Sequence, residues 1–180
     1  ADGVKEDQEE VRERKPDEVN FWRPSGQPFK ALQPGGLFFF KLHAPYNKLV
    51  GWGVFIGYRQ LPLRLAWDAF GEKNGVPSLE EFQRRIKRYR RDNDPNPTIG
   101  CIMLAQPVFH EDVDWVDQPE NWSGSIVVGK GYQTGIGDGR YIYRYAQEQL
   151  RIEGMDLLAQ EANYTERMQK VRVGQSSFRV

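Results

Sequence analysis

The chain has 180 residues, enough for one domain of ordinary size with a core that needs no covalent staple. Its single cysteine excludes an internal disulfide, and two histidines with one cysteine argue against a structural zinc site. No apolar run approaches the roughly 18 residues that span a bilayer, and no charged start followed by an apolar block marks a signal peptide, so the sequence reads as soluble and cytoplasmic.

Twenty-five basic residues balance 25 acidic ones, yet the charge is unevenly placed. Acid collects at the start and around Glu111 to Glu120, and base in Arg84 to Arg91. Residues 1–18 are almost wholly polar, with helical potential over 5–14 through alternating charges, and read as a solvated tail or the end of a linker. Order is expected from Val19-Asn20-Phe21-Trp22, a short strand closed by the turn residues Arg23-Pro24-Ser25-Gly26.

The stretch from Gly35 to Tyr58 is the expected centre of the fold. Two apolar runs, Leu37–Leu42 and Leu49–Ile56, flank His-Ala-Pro-Tyr-Asn-Lys, the grammar of an antiparallel hairpin. Leu37-Phe38-Phe39-Phe40 does not alternate, so both faces of that strand should be covered, as in a small barrel or a sheet backed by helices. Pro45 cannot donate to a ladder and places the turn at the rim, with His43, Tyr46 and Asn47 expected beside Trp52.

Beyond Tyr58 the period changes. Leu61, Leu65, Ala66, Ala69 and Phe70 recur at helical spacing, with Pro62 in the first turn and Gly71 at the end. Ser78 followed by Glu81 resembles a capping box, opening a helix with Leu79, Phe82, Ile86 and Tyr89 on its apolar side. Thr98 to Ala105 reads as a buried strand continued by Val108-Phe109, with Cys101 a buried thiol. Glu111 to Trp122 reads as an acidic surface loop pinned by Trp115 and Trp122. Ile126 to Val128 is one more strand candidate, Arg140 to Arg151 a helix, and Gln169 to Gln175 alternates like an edge strand.

Three features bear on chemistry. The glycine-rich segment Gly129 to Gly139 fails the P-loop pattern and reads as a mobile loop that enters a DNA groove or follows the backbone. Arg84, Arg85, Lys87, Arg88, Arg90 and Arg91, with no acid among them, suit phosphate contacts better than a merely solvated face. No nucleophile–base order and no ligand set suggests catalysis, so this chain by itself is not read as an enzyme.

Asn20–Ser25, Phe38–His43, Asn47–Gly51, Ala66–Val76, Ile99–Cys101 and Val128–Tyr132 occur in order and resemble the modified-DNA-reading domain of McrA-type HNH restriction endonucleases. That domain is SRA-like within the PUA-like superfamily, so the resemblance implies an α+β fold, a small curved barrel flanked by helices. It further implies a domain over 19–172, with 173–180 opening a C-terminal HNH nuclease domain, in a type IV restriction enzyme of the prokaryotic cytoplasm.

The implied partner is double-stranded DNA bearing a modified base, 5-methylcytosine first and 5-hydroxymethylcytosine second, with phosphorothioate a distant third. The base would be flipped into a pocket, held by aromatic faces and by hydrogen bonds to its edge. Candidates for that pocket are Trp22, His43, Tyr46, Asn47, Trp52, Asp68, Tyr132, Thr134 and Asp138. Trp22 and Trp52 read equally well as core, and Trp67 reads as core. Candidates for the DNA backbone are Arg23, Lys48, Arg84, Arg85, Lys87, Arg88, Arg91, Lys130 and Arg140. No cofactor is expected here, a divalent metal belonging to the HNH half, and the full-length protein can form a homodimer through that half. The alternative is a PUA-like module that binds RNA or protein without base flipping.

Overall fold

In a computed structural model of the chain, residues 17–120, 122, 130–152 and 170–175 are described, without the side chains of 130, 149–152 and 170–175. Residues 1–16 of the charged tail, the strand candidate at 126–128 and positions 176–180 lie outside them, while Glu18, expected in the tail, opens the first strand. The described elements are β1 (Glu18–Arg23), β2 (Leu37–Lys41), β3 (Lys48–Pro62), α1 (Leu63–Phe70), α2 (Leu79–Tyr89), β4 (Thr98–Phe109), β5 (Val116–Asp117), β6 (Lys130–Gln133), α3 (Gly137–Ile152) and β7 (Lys170–Gln175). The architecture is α+β with mostly antiparallel pairing, as expected; within neither of its two compact units do the described strands close into a ring.

The first unit holds the described parts of 1–30 and 56–107. Here β1 lies antiparallel to β4, from Glu18 opposite Ala105 to Arg23 opposite Gly100, and β4 is also bonded to β3. Strand β3 runs to Pro62, past its expected end at Tyr58. Its extension is braced, since the Tyr58 hydroxyl donates to the Gln27 carbonyl at 2.8 Å and the Gln60 amide to that of Gly26. Pro62 consequently stands at the N-cap of α1, one residue before the helix. Leu63 and Ala66 carry the buried stripe of α1, while Leu65, expected on the apolar side, is half exposed.

Gly71 ends α1 at φ +50°, a left-handed conformation that favours glycine, and its N–H donates to the Trp67 carbonyl. A 3-10 turn, Gly71–Asn74, then buries Asn74. The Asn74 amide donates to the carbonyls of Gly71 (2.8 Å) and Ala66 (3.3 Å). Its side-chain oxygen accepts from Asn20 at 2.8 Å, and its carbonyl accepts the indole N–H of Trp22 at 2.9 Å. In α2 the Ser78 hydroxyl accepts from the Glu81 N–H, the N-cap half of the capping box. Phe82 and Ile86 turn inward onto Trp22, Leu63, Ala66, Val76, Ile99 and Cys101. Burying each such large side chain stabilises by about 1.5–3 kcal/mol. Tyr89, expected in the core, is half exposed.

The second unit holds the described parts of 31–55 and 108–175. The expected hairpin is present, with Leu37 opposite Val54, Phe39 opposite Trp52, and a register shift between Phe40 and Lys41. All five residues of β2 are buried, as the unbroken aromatic run required. The Phe40 ring stacks on Phe109 at 5.2 Å, while Phe39 joins Leu37, Leu49, Trp52, Trp122, Ile142 and Ala146.

Two expectations need correction here. Strand β7 is not an edge: it lies parallel to β2, Phe38 opposite Arg172 through Lys41 opposite Gln175, and antiparallel to β6. Alternation of side chains reports which faces are covered and carries no information about backbone neighbours. The described part of the glycine-rich segment is strand, tight turn and helix rather than a free loop. Helix α3 begins at Gly137, before Arg140, because Gly139 can sit against β6: a Cβ there would stand 2.0 Å from the Gln133 carbonyl oxygen.

Candidate functional site

In the second unit the sequence Gly51-Trp52-Gly53 builds the site. Without a Cβ on Gly51, the end of β4 crosses β3 closely, and the His110 N–H donates to the Val50 carbonyl at 2.9 Å. That crossing sets the imidazole on Trp52, ring centres 5.0 Å apart. Helix α3 supplies Ile142, Tyr145 and Ala146 at helical spacing, with Tyr145 edge-on to Trp52 at 5.8 Å and 5.5 Å from His110. Trp52 is 2% exposed and His110 8%. Burial pushes the His110 imidazole below its usual value against the nearby Asp114 carboxylate, and pushes the Tyr145 phenol up. His110 Nε2 and the Tyr145 hydroxyl are buried with no hydrogen-bond partner among the described residues.

Beside these rings, Trp122 stacks on Tyr132 at 5.0 Å and donates its indole N–H to Asp138 at 3.0 Å. Asp138 occupies the first turn of α3, where a carboxylate faces the positive end of the helix dipole. Burial and the Asp138 charge push the Tyr132 phenol up to about 12. Thr134, half-buried, lies in the turn between β6 and α3.

The turn after β2 holds His43, Tyr46 and Asn47. Lys41 is fully buried; its ammonium donates to the Leu42 carbonyl (3.0 Å) and to Asn47 Oδ1 (3.3 Å), and burial lowers its pKa. Asn47 adopts φ +49°, which asparagine tolerates better than most residues. His43 is half-buried; Tyr46 is exposed and meets Trp115 edge-on at 6.1 Å. Lys48 pairs with Asp117 at 2.7 Å and the Arg140 guanidinium donates to the Gly135 carbonyl at 2.8 Å. Lys130 opens β6.

Trp22 and Asp68 belong to the first unit. Trp22 is 3% exposed, its ring edge-on to Phe82 at 5.6 Å, a core position. Asp68 is exposed on α1, and Trp67 packs on the edge of the same core. Arg23 is half-buried and donates to the Gln27 carbonyl at 3.4 Å.

The basic helix proves heterogeneous. Glu81 accepts from both Arg84 and Arg85, the latter at 2.7 Å, and Arg85 first of all holds the Glu81 carboxyl below its usual range. Arg90 is tied to Asp92 and to the Pro24 carbonyl. Lys87, Arg88 and Arg91 are exposed and make no ion pair among the described residues. The residues missed from sequence are thus Lys41, His110 and Tyr145, and, as site members, Trp115 and Trp122. Only the glycine pair around Trp52 and the helical spacing of Ile142, Tyr145 and Ala146 pointed toward them.

Among the described residues no group of three His, Cys, Asp or Glu side chains is placed to hold a metal ion, and no helix is long and apolar enough to cross a membrane. No family model and no curated protein sequence matches the chain. Among solved structures it is similar to the ASCH protein from Zymomonas mobilis, with 13% identity, a TM-score of 0.43, and coverage of 68% of this chain and 78% of that one.

Proposed function

We propose that the chain is a reader of duplex DNA carrying a modified base, 5-methylcytosine or 5-hydroxymethylcytosine, built on a PUA-like fold of the SRA kind. In this reading it serves a type IV, modification-dependent restriction endonuclease, and the cut is made by an HNH half with its own divalent metal. The observation that carries the polyanion part is the face of α2. In a chain of zero net charge, Lys87, Arg88 and Arg91 stand exposed, within five residues, without an acidic partner among the described residues. Such contacts position a duplex without reading it.

The modified base and its flipping rest on the sequence motifs from Asn20 to Tyr132. Extruding a base costs a few kcal/mol, which aromatic faces and edge hydrogen bonds must offset. In this reading those groups are Trp52, His110, Tyr132, Tyr145, Trp122 and Asp138, which lie in the second unit. The test is a titration at fixed salt with duplexes that differ only at one cytosine, beside a single-stranded RNA of the same sequence. Tighter binding of a modified duplex supports the reader; equal or tighter binding of the RNA favours a PUA-like RNA module, and no binding of either favours a protein partner.

A further inference from the structure

His110 is anchored through its backbone and through its ring. Its N–H is bound to Val50, its carbonyl accepts the Trp115 indole N–H at 3.1 Å, and its ring touches both Trp52 and Tyr145, which also touch each other. Its Nε2 nonetheless meets no acceptor or donor among the described residues, and neither does the hydroxyl of Tyr145, whose ring centre lies 5.5 Å from the imidazole. Buried polar atoms in native folds are nearly always paired, and each that is not carries a desolvation penalty that the fold leaves uncompensated. Asn20 Oδ1 and Gln118 Oε1 are further exceptions, whereas the indole N–H groups of Trp22, Trp115 and Trp122 all find oxygens; His110 and Tyr145 stand out because their rings touch.

We infer that His110 Nε2 and the Tyr145 hydroxyl form an incomplete hydrogen-bonding site, completed by the polar edge of a planar heterocycle. The inference rests on the reader proposed above, in which that heterocycle is the flipped base. A neutral imidazole nitrogen offers one donor or acceptor according to tautomer, and a phenol offers both. Together they match an edge that sets a ring nitrogen beside an amino group, as cytosine does at N3 and N4. Trp52 supplies the apolar wall. Tyr145 is the least buried of the three rings, so the heterocycle enters from its side. Neither Tyr145 nor His110 is marked by any motif in the sequence.

The substitution Tyr145→Phe separates this role from a structural one, because it removes one oxygen and keeps the ring. If the hydroxyl is unpaired until a base arrives, the variant melts no lower than wild type. It also loses roughly five- to tenfold of the preference for a duplex with one 5-methyl- or 5-hydroxymethylcytosine over the unmodified duplex, the size of one hydrogen bond. His110→Phe, which keeps a ring against Trp52, should lose the preference to a similar degree. A variant Tyr145→Phe that keeps the wild-type preference, whether or not it melts earlier, overturns the inference. If wild-type protein itself shows no preference among the duplexes, the reader proposal fails, and this inference with it.

Discussion

Gly51 lies so close to Val108 that a Cβ on it would stand 2.0 Å from the Val108 carbonyl oxygen. The approach lets β4 end across β3 and brings His110 onto Trp52, so a single missing methyl group underlies the aromatic cluster. Gly51→Ala should therefore destabilise by roughly 1–3 kcal/mol or more, since the obstacle is backbone and cannot rotate away. Gly131→Ala, where a Cβ meets nothing within 4 Å, should leave stability nearly unchanged. Urea unfolding of both variants checks the contrast; equal midpoints would mean that the crossing relaxes freely.

Replacing Lys87, Arg88 and Arg91 together by glutamine should weaken binding to modified and unmodified duplexes alike. The slope of log affinity against log salt should flatten by up to about three phosphate contacts, each contributing about 0.9. Arg84 and Arg85 share Glu81, so Arg85→Gln should change the slope less than any one of the three exposed residues. A slope unaltered in the triple variant would assign that face to solvent.

Trp22→Ala should lower stability by about 3–5 kcal/mol through the cavity it leaves, and it also strips the Asn74 carbonyl of its donor. Both DNA affinities should then fall together. Trp52→Ala should lose comparable stability and, in addition, the preference for the modified duplex, because His110 leans on that ring. A Trp22→Ala protein of wild-type melting temperature would contradict its core position.

The buried His110 imidazole resists protonation. An unfolded chain takes up that proton near the ordinary value of 6.5, the folded one only at lower pH, so the unfolded state holds more protons in between. Stability should accordingly fall as pH drops below 6.5. Glu81, Asp17 and Asp92, whose carboxyls are held low by their basic partners, lose their contribution only further down, below about 4.5. Melting curves from pH 7.5 to 5 should show the decline in wild type and a flatter profile in His110→Phe; the same decline in both would move its origin elsewhere.

The sequence made the hairpin legible because Leu37 to Phe40 admits no exposed face, and it made α2 legible because Ser78 and Glu81 announce its start. The same reasoning took Tyr89 inward, although the helix ends as that residue leaves the core. What stayed hidden was tertiary. Only the fold shows that Glu81 sits under two arginines, that Asn74 collects Asn20 and Trp22, or that a lone histidine beyond β4 lands on Trp52. The candidate site was half visible for the same reason: Trp52, Tyr132 and Asp138 were flagged by residue type, while His110 and Tyr145 depend on a backbone crossing and a helix register.

Strand β7 carries one more implication, mechanical in kind. Its ladder bonds join β2 on one side and β6 on the other, so a force along the strand axis would load both ladders in shear together rather than open their bonds one after another. Such a force reaches Phe38 to Lys41 spread over the whole strand rather than at one end of it. The hairpin that carries Phe39 and Trp52 is thereby braced along its own axis by β7.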